Sequence, residues 1–260
     1  MKFLTSVLVL VAATMGLCAC GGGGGGSGGS TPPATSNASP GGIWQGTDPL
    51  TSQSLVGLVT EAGAFHFIEA NGTQYIGSVT VTGTSFTGSF DGYTAAGTTF
   101  ADGSTHGTGT MSGTVQARSS FQAATQFRTD NGSSTSDTLS LTFDSLYNTP
   151  SSLAAIAGNY TDANTGTPIT ISSSGTVFGQ SAATGCVING TVAIIDPSYD
   201  AYQFAISFAS CQGSYAVLNG ASFSGIGAIN ASATPVSIII GYDGTAEGQT
   251  VAIVEILNQT

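Results

Sequence analysis

The sequence predicts an all-β protein built as two tandem small antiparallel β-barrels, with a pair of β-sandwiches as the alternative. Three observations carry this prediction. Charged residues make up 7% of the chain while Gly alone numbers 38, so helix surfaces lack their usual Glu, Lys and Arg, and strands joined by tight turns are favoured. Apolar and polar residues alternate in short runs from Ile43 onward, the period of a strand with one buried face. Dipeptides that accept positive φ punctuate these runs: Asn71-Gly72, Asp91-Gly92, Asp102-Gly103, Asn131-Gly132, Asn189-Gly190, Asn219-Gly220 and Asp243-Gly244. With 40% hydrophobic residues there is enough apolar surface for a core.

The first segment, residues 1–19, reads as a signal peptide. Lys2 supplies the positive start, and Phe3 to Gly16 form an apolar stretch too short to span a bilayer as a mature helix. It ends in Leu17-Cys18-Ala19-Cys20, which resembles the lipobox of Gram-negative bacterial lipoproteins. The resemblance implies that Cys20 becomes the first mature residue and carries acyl chains that anchor the protein in a membrane. Three chains at about 0.8 kcal/mol per buried methylene make a firm anchor. Gly21 follows the cysteine in place of the Asp that such lipoproteins use for inner-membrane retention, which implies the outer membrane. Residues 20–42 then hold the lipidated Cys and a Gly/Ser/Pro-rich tether, with an r.m.s. span of roughly 25 Å.

Two modules follow, 43–150 and 151–260, meeting near Asn148-Thr149-Pro150. In the first, strands are expected at 55–60, 64–69, 75–81, 85–90, 109–117, 121–128 and around Leu139-Leu141-Phe143. In the second they are expected at 169–172, 187–195, 202–208, 215–218, 236–241 and 251–257. A weak internal repeat relates the halves. Gly42-Ile43-Trp44 matches Gly158-Asn159-Tyr160, and Thr47-Asp48 matches Thr161-Asp162. Glu61-Ala62-Gly63-Ala64-Phe65 matches Ser173 to Phe178, and Gly83 to Gly88 matches Gly185 to Gly190. Closed barrels would leave no free edges, which matters for a chain with few charges to block edge-to-edge pairing. The Gly-x-aromatic module starts, the Gly-bounded hairpins and the lipidated leader together resemble, distantly, the transferrin-binding-protein-like and factor-H-binding-like β-barrel surface lipoproteins. That resemblance concerns architecture only and transfers no partner-binding residue.

After processing, Cys186 and Cys211 are the two remaining thiols in an oxidising compartment, and a disulfide between them is expected. Closing a loop of about 25 residues contributes roughly 3 kcal/mol. A metal or redox pair would need His neighbours or CxxC spacing, and neither is present. The mature chain holds 14 acids against Arg118 and Arg128, a net charge of −12. Nucleic acid requires a cationic surface and is excluded as a partner.

No residue presents itself as catalytic or metal-ligating, and no cofactor is implied. His66 lies between Phe65 and Phe67, on the opposite strand face, and His106 lies in a Gly- and Thr-rich segment expected to be a loop. A nucleophile elbow, a phosphate-binding loop and a paired-carboxylate motif are all missing. Asp162, Asn164 and Gly166 faintly resemble a calcium loop without its later ligands, so an Asx turn is expected there. Trp44 is expected to plug a barrel end. The function predicted is a non-enzymatic, outer-membrane-anchored lipoprotein with a binding or envelope-structural role. Its partners are the membrane, through Cys20, and an unidentified protein or small apolar ligand. The alternative is a lipocalin-like carrier of a small apolar ligand, and a secreted hydrolase is a poorer reading.

Overall fold

In the computed structural model, which describes residues 36 to 260, the alternating runs close into two eight-stranded antiparallel barrels. The first runs through β1 (Gly42–Thr47), β2 (Ser54–Val59), β3 (Ala64–Glu69), β4 (Gln74–Thr82), β5 (Ser85–Tyr93), β6 (His106–Gln116), β7 (Ser120–Thr129) and β8 (Ser134–Asp144). A one-turn helix, α1 (Leu153–Ile156), leads into the second barrel. That barrel comprises β9 (Gly158–Asp162), β10 (Pro168–Ile171), β11 (Thr176–Gln180), β12 (Val187–Ile194), β13 (Tyr202–Ala209), β14 (Ser222–Asn230), β15 (Ser237–Ala246) and β16 (Gln249–Gln259). Each strand pairs with its sequence neighbour, and the first and last strands of each barrel pair to close it.

Glycine placement explains how aromatic rings fit inside so narrow a barrel. Eight strands leave an interior just wide enough for side chains. In the first barrel a Cβ on Gly57 would stand 2.1 Å from the Phe67 ring, and one on Gly109 would stand 2.2 Å from Phe90. Rings lie across the strands only because these inward positions are empty. The same reason corrects three expected turns. Asp91-Gly92, Asn189-Gly190 and Asp243-Gly244 lie within β5, β12 and β15, with their glycines packed against Phe127, Ile206 and Phe223. Asn71-Gly72 and Asn131-Gly132 are turns, with the glycines at positive φ. The expected strand at 215–218 is a 3-10 turn, Gly213–Leu218, that crosses the barrel rim.

The repeat appears in matching hydrogen bonds. Trp44 Nε1 donates to the Pro40 carbonyl and Tyr160 Oη to the Ile156 carbonyl, each four residues back, so both aromatics plug the closed end of their barrel. Asp48 accepts from the Leu50 and Thr51 amides, and Asp162 accepts from those of Asn164 and Thr165. The pairing of Gly83–Gly88 with Gly185–Gly190 does not hold. Gly83 turns between β4 and β5 at the closed end, whereas Gly185 lies between β11 and β12 at the opposite end.

Both barrels belong to one compact body, Ser36–Thr260. The outer faces of β2 and β3 pack on β14 and β15, where Val56, Leu58, Ile226 and Ala228 join a shared apolar cluster with Ile43, Tyr147 and Ala201. His66 points outward from the first barrel but is only 4% exposed, because Gly241 of the second barrel lies against its ring. At the closed end the Arg118 guanidinium stacks 4.8 Å from Tyr147 and 4.5 Å from Tyr199 and pairs with Glu61 at 2.6 Å. Arg118, one of the two arginines among the described residues, therefore joins the barrels. The last residues of the stretch expected as tether belong to this body: the Ala38 amide donates to the Gly83 carbonyl, and Pro40 and Gly41 are buried.

Candidate ligand-binding site

The two barrels differ in what fills them. In the first, Trp44, Phe65, Phe67, Phe86, Phe90 and Phe121 occupy the interior, and the cavity at its mouth measures only about 60 Å³. In the second, Tyr160, Phe204, Phe223 and Tyr242 fill the core, while Ile169, Ile188, Val251 and Ile253 line the mouth end. Smaller side chains leave a cavity there of about 550 Å³, within the range of about 300–1,000 Å³ found for small-molecule sites.

Strand length makes the opening. β16 has 11 residues and β9 only 5, and they pair only through Leu257↔Asp162, Asn258↔Thr161 and Gln259↔Tyr160. From Val251 to Glu255 the edge of β16 facing β9 lacks a strand partner, so the barrel gapes beside its closing seam. Inward Val251 and Ile253 and outward Ala252 and Val254 all line the cavity, which wraps over this edge. Gly72 and Ala95 of the first barrel form its far wall. The Cys186–Cys211 disulfide links the β11–β12 loop to the β13–β14 loop, and Cys186, Tyr215, Val217 and Leu218 shape the rim. Tyr215 and Val217 are 47% and 43% exposed, so the rim presents apolar surface to solvent.

Two carboxyls lie within this apolar wall. Asp162 is fixed by the turn it caps, with its oxygens accepting the Asn164 amide at 3.1 Å and the Thr165 amide at 3.2 Å. Glu255 projects inward from β16 and is 9% exposed. Burial first, and the Asp162 charge second, push its carboxyl up to about 7. The neighbouring Tyr242 hydroxyl favours the ionised form of Glu255, and the same burial and negative field raise Tyr242 well above the ordinary phenol value. A comparable acid group sits at the first barrel's mouth. Burial, followed by Asp48, lifts Glu69 to about 7, although Tyr75 Oη and Asn71 Nδ2 both donate to it at 3.0 Å.

The remaining candidates are placed as follows. His66 Nε2 meets Gln74 Oε1 at 2.7 Å in the interface between barrels, and burial lowers it to about 4. His106 opens β6 and is not a loop residue. Its ring sits on the barrel exterior between Asp130, at 3.1 Å, and Asp91, at 3.3 Å. Neither histidine lines the large cavity. Asp162, Asn164 and Gly166 form the expected Asx turn. Cys20, with Cys18 and Lys2, lies outside the described residues. Among the described residues, no group of three His, Cys, Asp or Glu side chains is arranged to hold a metal ion. Sequence reasoning found Asp162 as a turn residue but missed Glu255. The available signal was a charge in an otherwise apolar alternation, Val251, Ile253, Glu255, Leu257.

No protein-family model matches the chain, and no curated protein matches it.

Proposed function

We propose that this protein is a non-enzymatic, lipid-anchored binding protein of the outer membrane whose second barrel holds a small, mostly apolar ligand. The observation that carries the reading is the cavity of about 550 Å³, with Ile169, Ile188, Phe208, Leu218 and Ile253 in its wall. A few polar groups in a concave apolar wall are the usual form of a small-molecule site. The filled first barrel then acts as a rigid partner whose loops complete the wall. The lipobox ending at Cys20 supports the anchor. The described chain enters beside Gly83, at the closed end of the first barrel and opposite its mouth.

The test is native mass spectrometry of the protein purified from its own host, with intact-mass analysis of the leading residue. A co-purifying small molecule, lost when Val251 is replaced by Trp, supports the binding reading. An empty barrel that also fails to take up hydrophobic probes refutes it. A mature protein without acyl mass on Cys20 refutes the anchor independently.

A further inference from the structure

We propose that the ligand of the second barrel is an amphiphile with a protonated amine, its apolar body against the β16 wall and its ammonium group between Asp162 and Glu255. This rests on the binding reading above and names the chemistry that the cavity selects. Asp162 faces Leu257 across the closing seam, and Glu255 is the next inward position along β16. The two carboxyl-bearing residues are therefore diagonal neighbours on one inner face, a spacing of about 7–8 Å between backbones that lets both side chains reach one small group.

Glu255 supplies the second observation. It is more than nine-tenths buried and lines the cavity. Tyr242 is its nearest donor, yet among the described residues no side chain meets the Glu255 carboxyl at full hydrogen-bond geometry. Asp162 Oδ2 accepts both the amide and the hydroxyl of Thr165, while Oδ1 accepts the Asn164 amide alone and keeps a lone pair for a ligand. The cavity wall contains no Lys, Arg or His to neutralise either acid. A carboxyl set in an apolar wall with one phenol beside it and no cation is costly to ionise, and an ammonium group entering between the two would supply a counter-charge and donors to both. A fatty acid or phospholipid phosphate would bring a further negative charge into the same space and is disfavoured. A neutral alcohol would fill the apolar wall but satisfy only one acceptor.

The experiment compares decylamine, decanol and decanoate, each below its micelle concentration, by isothermal calorimetry at about pH 8 on the intact mature protein. The panel is repeated on Glu255→Gln and on Glu69→Gln, which removes a similar acid from the first barrel. The expected order is amine, then alcohol, then carboxylate, with the amine bound at least about tenfold more tightly than the alcohol, as charge-assisted bonds give. Glu255→Gln should bring amine and alcohol together while alcohol affinity holds. Glu69→Gln should leave the order unchanged, which separates a cavity effect from attraction to an acidic surface. Carboxylate or alcohol binding as well as amine, or an amine preference that survives Glu255→Gln, overturns the proposal while leaving the cavity reading intact. Failure of all three to bind overturns both. Should Glu255→Gln fail to fold, added decylamine must still raise the wild-type melting temperature more than decanol does, and equal shifts overturn the proposal.

Discussion

Replacing Glu255 with Gln removes a carboxyl from the second barrel and should change how stability depends on pH. Glu255 is raised from the ordinary glutamate value of 4.5 to about 7 by burial and by Asp162. At about 1.4 kcal/mol per pH unit between the folded and unfolded values, this amounts to about 3 kcal/mol. The direction follows from proton linkage. The folded chain holds the proton more tightly than the unfolded one, so the wild type keeps this stability below about pH 4.5 and loses it as pH rises through about 7. The groups facing Glu255 are Asp162 and Tyr242, and among the described residues no cation opposes them. Glu69 and Asp200, both raised to about 7, act in the same sense, while His66, lowered to about 4, acts in the opposite one. These three are common to both proteins and cancel in the comparison. Urea and thermal unfolding, followed by circular dichroism between about pH 4.5 and 8, should give equal stabilities at the acid end. At the alkaline end Glu255→Gln should be more stable by about 3 kcal/mol, or about 6 to 12 °C in melting temperature for a unit of this size. Parallel curves across the whole range would show that Glu255 is solvated and that the reasoning from burial is wrong.

Other outcomes follow from the same contacts. Val251→Trp should fill the mouth of the second barrel and abolish uptake of hydrophobic probes with a stability change within about 1–2 kcal/mol, and retained uptake measured by fluorescence would place the ligand elsewhere. Replacing Cys186 and Cys211 together by Ala should cost about 2–4 kcal/mol in chemical denaturation and weaken ligand binding, since the bridge ties two rim loops; unchanged binding would make it purely structural. A Cβ at position 241 would lie 2.4 Å from the His66 ring, so Gly241→Ala should destabilise the joined barrels by about 1–3 kcal/mol, and an unchanged urea midpoint would show that the interface yields freely. Arg118→Ala should cost about 1–3 kcal/mol by leaving Glu61 without a counter-charge, though still bonded by Ser39 and Tyr147, and Tyr199 uncovered, and Arg118→Lys should restore only part of it; full recovery would mean that charge, not the planar stack, holds the barrels.

Strand periodicity was readable because each alternating run obeys a local rule. Tyr202, Phe204, Ile206 and Phe208 all face inward from β13, as their spacing requires. The glycines were harder. Gly72 and Gly132 serve turns at positive φ, while Gly92, Gly190 and Gly244 serve rings and side chains of other strands inside the barrel. Both uses follow an Asn or Asp, so the dipeptide alone does not separate them. His66 shows the same limit: strand alternation assigns it to the outer face, and only the second barrel makes that face interior.

From the sequence alone came the all-β class, the repeat of Trp44 with Tyr160 and of Asp48 with Asp162, and the Cys186–Cys211 pairing, because each depends on residue type and spacing along one strand or turn. Tertiary structure decided which barrel is filled and which is hollow, and that Glu255 and Asp162 meet inside it. Those outcomes depend on side-chain volumes summed across eight strands, because β1 and β8 close the filled barrel through three pairs just as β9 and β16 close the hollow one, and such sums are fixed only when the sheet closes.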